Sequence, residues 1–175
     1  MKIIVSKNND TWTGILLNKG KLALTTYLCK SLEDAVNYLV QYAKEECDVE
    51  EGEHLIIDAI NGIANGTSFD LPKIIFDFHG YTEKEIVVLK TLLKVPAGEV
   101  VSYGELAKRA GIPNAARFIG NVMAKNRFAP IIPCHRVILS SGKLGHFSGR
   151  EGPKLKKRLL EQEQKKGTSI KHWLG

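Results

Sequence analysis

At 175 residues the chain can form one large domain or two small ones, each able to bury a core. With 43% hydrophobic residues it should be globular rather than disordered. The net charge of +6 permits a polyanionic partner without requiring one, and three cysteines (Cys29, Cys47, Cys134) with no Cys-x-x-Cys pair argue against a disulfide framework or a cysteine zinc site. Met1–Val5 is followed at once by polar Ser6–Asp10, and neither a signal peptide nor a membrane span is legible. An intracellular, soluble protein is therefore expected, cytoplasmic or, in a eukaryote, nuclear.

In chain order, Lys2–Val5, Trp12–Leu17 and Leu22–Leu28 read as three strands, separated by turns at Asn8-Asn9-Asp10 and Asn18–Lys21. Ser31 is a helix N-cap, and Leu32, Val36, Leu39, Val40 and Ala43 recur behind it at helical spacing. Leu55–Ala64 is apolar and either helical or extended. These elements make a small sheet-plus-helix domain over residues 1–77. Cys29, Cys47, His54 and His79 could in principle gather a metal, but their spacings match no standard zinc pattern, and no metal is expected.

Residues 78–175 read as a mainly helical second domain, which makes the fold class α/β (α+β). Leu71–Phe78 is an extended connection to it. Thr82 begins a helix whose buried stripe is Ile86, Leu89, Leu92 and Leu93, ended by Pro96-Ala97-Gly98. Ser102 and Glu105 form a capping-box pattern for a helix over Tyr103–Ala110. Gly111-Ile112-Pro113 stops it, and a second helix runs Ala115–Lys125. Two short helices about a Gly turn suggest a helix-turn-helix. Ala115, Ala116, Gly120 and Ala124 leave the second helix nearly bare, with Arg117 its single charge up to Ala124. A major-groove reader would carry several Arg, Asn or Gln, whereas small residues suit close approach to a minor groove, or simply tight packing.

The chemistry centres on Pro133-Cys134-His135-Arg136-Val137, after an apolar run, Ala129–Ile132, that reads as a buried strand. Cysteine attacks as thiolate, and His135 or Arg136 could lower the thiol pKa from about 8.5. A buried structural cysteine is the alternative reading.

These residues carry a resemblance to the O6-alkylguanine-DNA alkyltransferase family, whose nucleophile lies in Pro-Cys-His-Arg-Val. Val101-Ser102-Tyr103 with Leu106-Ala107 is similar to its Ser-Tyr segment, Asn126 to its bracing asparagine, and Ser140–Gly142 with Gly145, Phe147, Ser148 and Gly149 to its substrate loop. The resemblance covers most of Phe78–Glu163. It implies that Cys134 takes the alkyl group once and irreversibly. It further implies that His135 acts as base through a water, and that a glutamate on the last helix orients the imidazole. Register chooses Glu163 over Glu161, because Glu163 lies four residues beyond Leu159 on the face of Leu155 and Leu159. By the same resemblance Tyr103 donates toward N3 of guanine, the Ser148 region toward O6, and carbonyls near Cys134 and Val137 accept the exocyclic amine. Ser102, Ala116, Gly120, Met123 and Gly149 join the DNA- and substrate-contacting set, and Arg117 fills the stack left by a flipped base. The implied partner is alkylated double-stranded DNA, bound through the minor groove by a monomer, with no cofactor and no membrane. A non-catalytic helix-turn-helix protein or an alkyltransferase-like damage sensor is the competing reading, but such sensors lack the cysteine. A cysteine hydrolase would need a nucleophile elbow that is absent.

Overall fold

The computed structural model describes residues 1–67, 71–147 and 152–164. The chain divides into two compact units, Met1–His79 with Arg127–Ile131, and Gly80–Asn126 with Ile132–Gly175. The short stretch Arg127–Ile131 thus joins the N-terminal unit from within the C-terminal half of the sequence.

In the first unit β1 (Lys2–Asn8), β2 (Thr11–Asn18) and β3 (Lys21–Cys29) form an antiparallel meander, and β4 (Asp48–Glu51) adds to β1 in parallel, giving the order β3-β2-β1-β4. Lys19 and Gly20, at φ 48° and 77°, make the left-handed pair that a two-residue hairpin with twisted strands requires. Helix α1 (Leu32–Ala43) starts at Ser31, whose hydroxyl accepts from the Asp34 amide, and packs Ala35 and Leu39 with Ile3, Val5, Leu16 and Leu24. Gly14 permits this approach, since a Cβ there would stand 2.9 Å from Leu39 Cδ1 and from Val5 Cγ1. Leu55–Asn65 is helical and forms α2, capped by the imidazole of His54 and stopped by Gly66 at φ 67°. The Thr13 hydroxyl bonds Asn61 of α2 at 2.6 Å, and Thr13 points away from the Leu16 face. The sheet is therefore covered on both sides, which is why its strands read as apolar runs rather than as strict alternation.

Residues 71–78 are irregular except where Phe76 bridges Leu22, through Leu22 N–H to Ile75 O (2.8 Å) and Asp77 N–H to Leu22 O (2.7 Å). Phe128, fully buried, sits edge-on to Phe76 and Phe78 with ring centroids 5.0 and 5.5 Å away. Thr25 N–H donates to Arg127 O at 2.9 Å, the Thr25 hydroxyl bonds Ala129 O, and the Arg127 guanidinium lies 5.0 Å from the Tyr42 ring.

The second unit holds α3 (Glu83–Leu93), β5 (Val101–Ser102), α4 (Tyr103–Arg109), α5 (Ala116–Ala124), a single 3-10 turn (Cys134–Arg136), β6 (Val137–Ile138) and α6 (Pro153–Gln164). Among the described residues no helix is long and apolar enough to cross a membrane.

Two sequence readings require correction, and one strand was not read at all. Ala129–Ile132 is no strand: Pro130 lacks an N–H to donate, and the Arg127 and Ala129 carbonyls both accept from the one residue Thr25 rather than from a ladder. The stripe on α3 is Val88, Leu89 and Leu92, with Ile86 and Leu93 only part-buried; Glu85 is buried as well, because its carboxylate completes a capping box with Thr82. Asp48–Glu51, exposed and mostly acidic, has no strand signature yet pairs with β1.

Because Phe128 fills its aromatic slot without exposed surface, Phe128→Ala should cost ~3–5 kcal/mol of unfolding free energy in a urea titration; a loss below about 1 kcal/mol would mean that the slot collapses or is not closed.

Candidate active site

The 3-10 turn that carries Cys134 is fixed at both ends. Before it, Cys134 N–H donates to Ile132 O at 2.9 Å, and Asn126 Nδ2 donates to the same carbonyl at 2.8 Å. After it, β6 pairs in parallel with β5, Val101 opposite Val137 and Ser102 opposite Ile138. Since α4 begins where β5 ends, this pairing brings Tyr103 to the cysteine. A cavity of about 610 Å3 opens there, lined by Cys134, Tyr103, the α5 residues Ala116, Arg117, Gly120 and Met123, and the loop residues Leu139, Ser140, His146 and Phe147. Its size lies within the range of small-molecule sites.

Behind Cys134, His135 is fully buried and its Nε2 lies 2.8 Å from Glu163 Oε1. Burial alone would raise the Glu163 pKa, but hydrogen bonds from His135 and Arg136 and their charges hold it down to about 2. Arg136 donates to Glu163 through Nε and Nη2 (3.1 and 2.7 Å to Oε1) and through Nη1 to Val95 O at 2.5 Å. Gly98 N–H adds a bond to Oε2 at 3.1 Å. An ionised carboxylate can only accept, so Nε2 must carry the imidazole proton. Burial lowers the His135 pKa and favours the neutral ring against the pull of Glu163. Nδ1 is then the unprotonated nitrogen, buried and with no hydrogen-bond partner among the described residues. A neutral base with a fixed tautomer results. Glu161 instead lies 3.8 Å from Lys157 on the other side of α6.

The cysteine corrects one expectation. Burial raises its pKa, and this outweighs the Asn126 hydrogen bond and the charge of Lys156, which both favour thiolate. The resting thiol is therefore protonated rather than activated by its sequence neighbours, and a base is needed to use it. Tyr103 is also pushed up, by burial and then by Cys134, which keeps its hydroxyl a donor.

Lys156 was not legible as a site residue. Its side chain is fully buried, its Nζ donates to Val137 O at 2.5 Å, and burial lowers its pKa to about 8 against the attraction of Cys134. In sequence it is one lysine in the basic run Lys154–Arg158. Arg136 was seen only as a neighbour of the thiol, yet it is directed at Glu163. Ser102 caps α4, accepting from the Glu105 amide at 3.1 Å, and does not line the cavity. The Val137 carbonyl accepts from Lys156, which leaves one lone pair for another donor. Ser148 and Gly149 lie outside the described residues. Cys29 Sγ is 3.1 Å from Thr26 Oγ1 and His54 caps α2; among the described residues no three His, Cys, Asp or Glu side chains gather as a metal site.

A buried lysine whose folded pKa is about 8 instead of 10.5 gives a signed prediction. Between those values the unfolded chain holds a proton that the folded chain has released, so folding gains stability as pH rises. The unfolding free energy of wild type minus that of Lys156→Met should climb over this window, by at most about 1.4 kcal/mol per pH unit. Denaturant titrations at several pH values would show it, and a flat or falling difference would count against the burial of a cation here.

Residues 83–165 match the family model described as "6-O-methylguanine DNA methyltransferase, DNA binding domain". A methylated-DNA--protein-cysteine methyltransferase of Methanothermobacter thermautotrophicus is 40% identical over 108 residues, covering 62% of this chain and 59% of the relative. One from Mycobacterium bovis is 43% identical over 110 residues, covering 62% and 63% respectively. The chain thus spans about three fifths of the length of the curated relatives it matches, 59% and 63%. The crystal structure of Mycobacterium tuberculosis OGT in complex with DNA is similar over 97% of this chain and 96% of that one, with a TM-score of 0.74 and 29% identity. Pyrococcus kodakaraensis O6-methylguanine-DNA methyltransferase, at 22% identity and TM-score 0.67, shares the fold. Residues 83–165, which carry the Pro-Cys-His-Arg-Val turn, the glutamate-held imidazole and the small-residue helix, are thus similar in sequence to O6-methylguanine-DNA methyltransferases, and the chain shares their fold.

Proposed function

We propose that this protein repairs DNA once per molecule, extruding O6-alkylguanine, with O4-alkylthymine the second candidate base, and transferring the alkyl group to Cys134. The observation that carries this reading is a buried cysteine facing a cavity, backed by an imidazole whose tautomer a carboxylate fixes. DNA would be held through its minor groove along α5, whose Ala116 and Gly120 line the cavity beside Arg117. The cytoplasm or nucleus is the matching location.

The residues account for each step. Extruding a base takes a few kcal/mol, less when alkylation has already spoiled its pairing. His135 Nδ1 takes the thiol proton, through a water, and the Lys156 cation faces the thiolate so formed. Sulfur then displaces the alkyl carbon: the S–C bond forms, the C–O6 bond breaks, and its electron pair goes to guanine. Tyr103, kept protonated, donates toward N3, and Ser148 toward O6, to meet that charge. The Val137 carbonyl accepts the exocyclic amine with its second lone pair. A thioether does not hydrolyse in water, so each molecule would act once.

Incubation with a duplex containing O6-methylguanine should add one methyl group to Cys134 by intact and peptide-mapped mass, and none to Cys134→Ser, which still binds DNA; turnover beyond one equivalent would overturn the reading. Glu163→Gln should slow transfer by roughly 10²–10⁴-fold, while Glu161→Gln should stay near wild type.

Arg117 is exposed at the start of α5 and reaches the cavity. If it occupies the vacated stack, Arg117→Ala should lose most of its rate on duplex DNA and little on free O6-benzylguanine, which needs no extrusion. A phosphate contact alone would instead lower affinity and reduce the salt slope by about one unit.

A further inference from the structure

We infer that Tyr81, Glu85 and Lys125 form a strap that positions Asn126, and through Asn126 sets the reactivity of Cys134; this rests on the reading of Cys134 as the nucleophile. Lys125 closes α5 and is held twice. Its carbonyl, one of the groups that a helix end leaves unpaired, accepts from the Tyr81 hydroxyl at 2.6 Å. Its Nζ reaches Glu85 Oε1 at 2.7 Å. An exposed lysine seldom gains much from an ion pair, but this carboxylate is buried and already anchored, its Oε2 accepting from the Thr82 amide (2.8 Å) and hydroxyl (3.1 Å). The segment 81–85 thus grips both the main chain and the side chain of the residue before Asn126.

Asn126 has two N–H donors on one planar group. One carries the 2.8 Å bond to Ile132 O, two residues before the nucleophile. Asn126 also hydrogen-bonds Cys134 in the sense that favours thiolate. Hydrogen bonds weaken steeply with angle, so a small rotation of the α5 terminus would spoil this bond before it disturbed the fold. Neither Tyr81 nor Lys125 lines the cavity, so their influence would be one of position. The other groups that face the thiol are Lys156 from α6, Tyr103 from α4 and His135 on the same turn, and all three stay in place in the variants below.

The test is the pH profile of Cys134 S-alkylation by iodoacetamide, read by peptide-mapped mass without DNA, beside transfer from O6-benzylguanine. In Tyr81→Phe and Lys125→Met the profile should move up by about half a unit to one unit, a roughly three- to tenfold slowing at a fixed pH below the midpoint. Lys125→Arg, which keeps the pair with Glu85, should stay within about twofold of wild type. Variants with native melts and unmoved profiles, or slower reaction without a shift, would overturn the strap. Lys125 is exposed, so Lys125→Met decides the matter if Tyr81→Phe does not fold. A shifted iodoacetamide profile in a protein that takes nothing from O6-benzylguanine would keep the strap and sink the transfer reading.

Discussion

Glu163 ties together the unit that carries the cysteine turn. Its carboxylate is almost entirely out of water and would be costly there alone, yet it receives His135, Arg136 and the Gly98 amide together. Three separate pieces of chain, the Pro96–Gly98 turn, the 3-10 turn and α6, meet at its two oxygens. The same bond that fixes the imidazole proton on Nε2 leaves Nδ1 unprotonated, so anchoring and choice of tautomer are one interaction.

Around that anchor the thiol is dormant rather than primed. Burial keeps its proton on, while the means of removing it, a neutral imidazole and a lysine without a carboxylate partner among the described residues, are already in place. Such a site spends no energy holding a thiolate at rest.

The sequence disclosed the parts of this site that depend on local chemistry or on helix period. Pro133–Val137 marked the cysteine that lines the cavity, the small-residue second helix marked the wall beside it, and four-residue spacing from Leu159 picked the glutamate that bonds His135. What stayed hidden depends on tertiary burial. Lys156 looks like any lysine of a basic run until α6 is packed, and nothing local aims Arg136 at a residue 27 positions away. The thiol's raised pKa likewise follows from burial, which adjacency to His and Arg cannot report. Asp48–Glu51 pairs only because β1 offers an open edge, and Ala129–Ile132 looked like a strand because Pro130, Ile131 and Ile132 are indeed buried, though without a ladder partner.

The segment Arg127–Ile131 makes the two units covalently interleaved, with the polypeptide changing unit at 79/80, 126/127 and 131/132. No single cut therefore yields two whole pieces. A fragment ending near His79 would lack Phe128 and leave Phe76 and Phe78 without their edge-on neighbour, and a fragment starting at Gly80 would carry Phe128 with its slot missing. Over evolutionary time the N-terminal unit can then drift in sequence only as far as its slot still accepts what the short Arg127–Ile131 insert brings. Exchange of that unit between relatives should accordingly travel with these five residues, as a two-piece transplant rather than a swap at one junction.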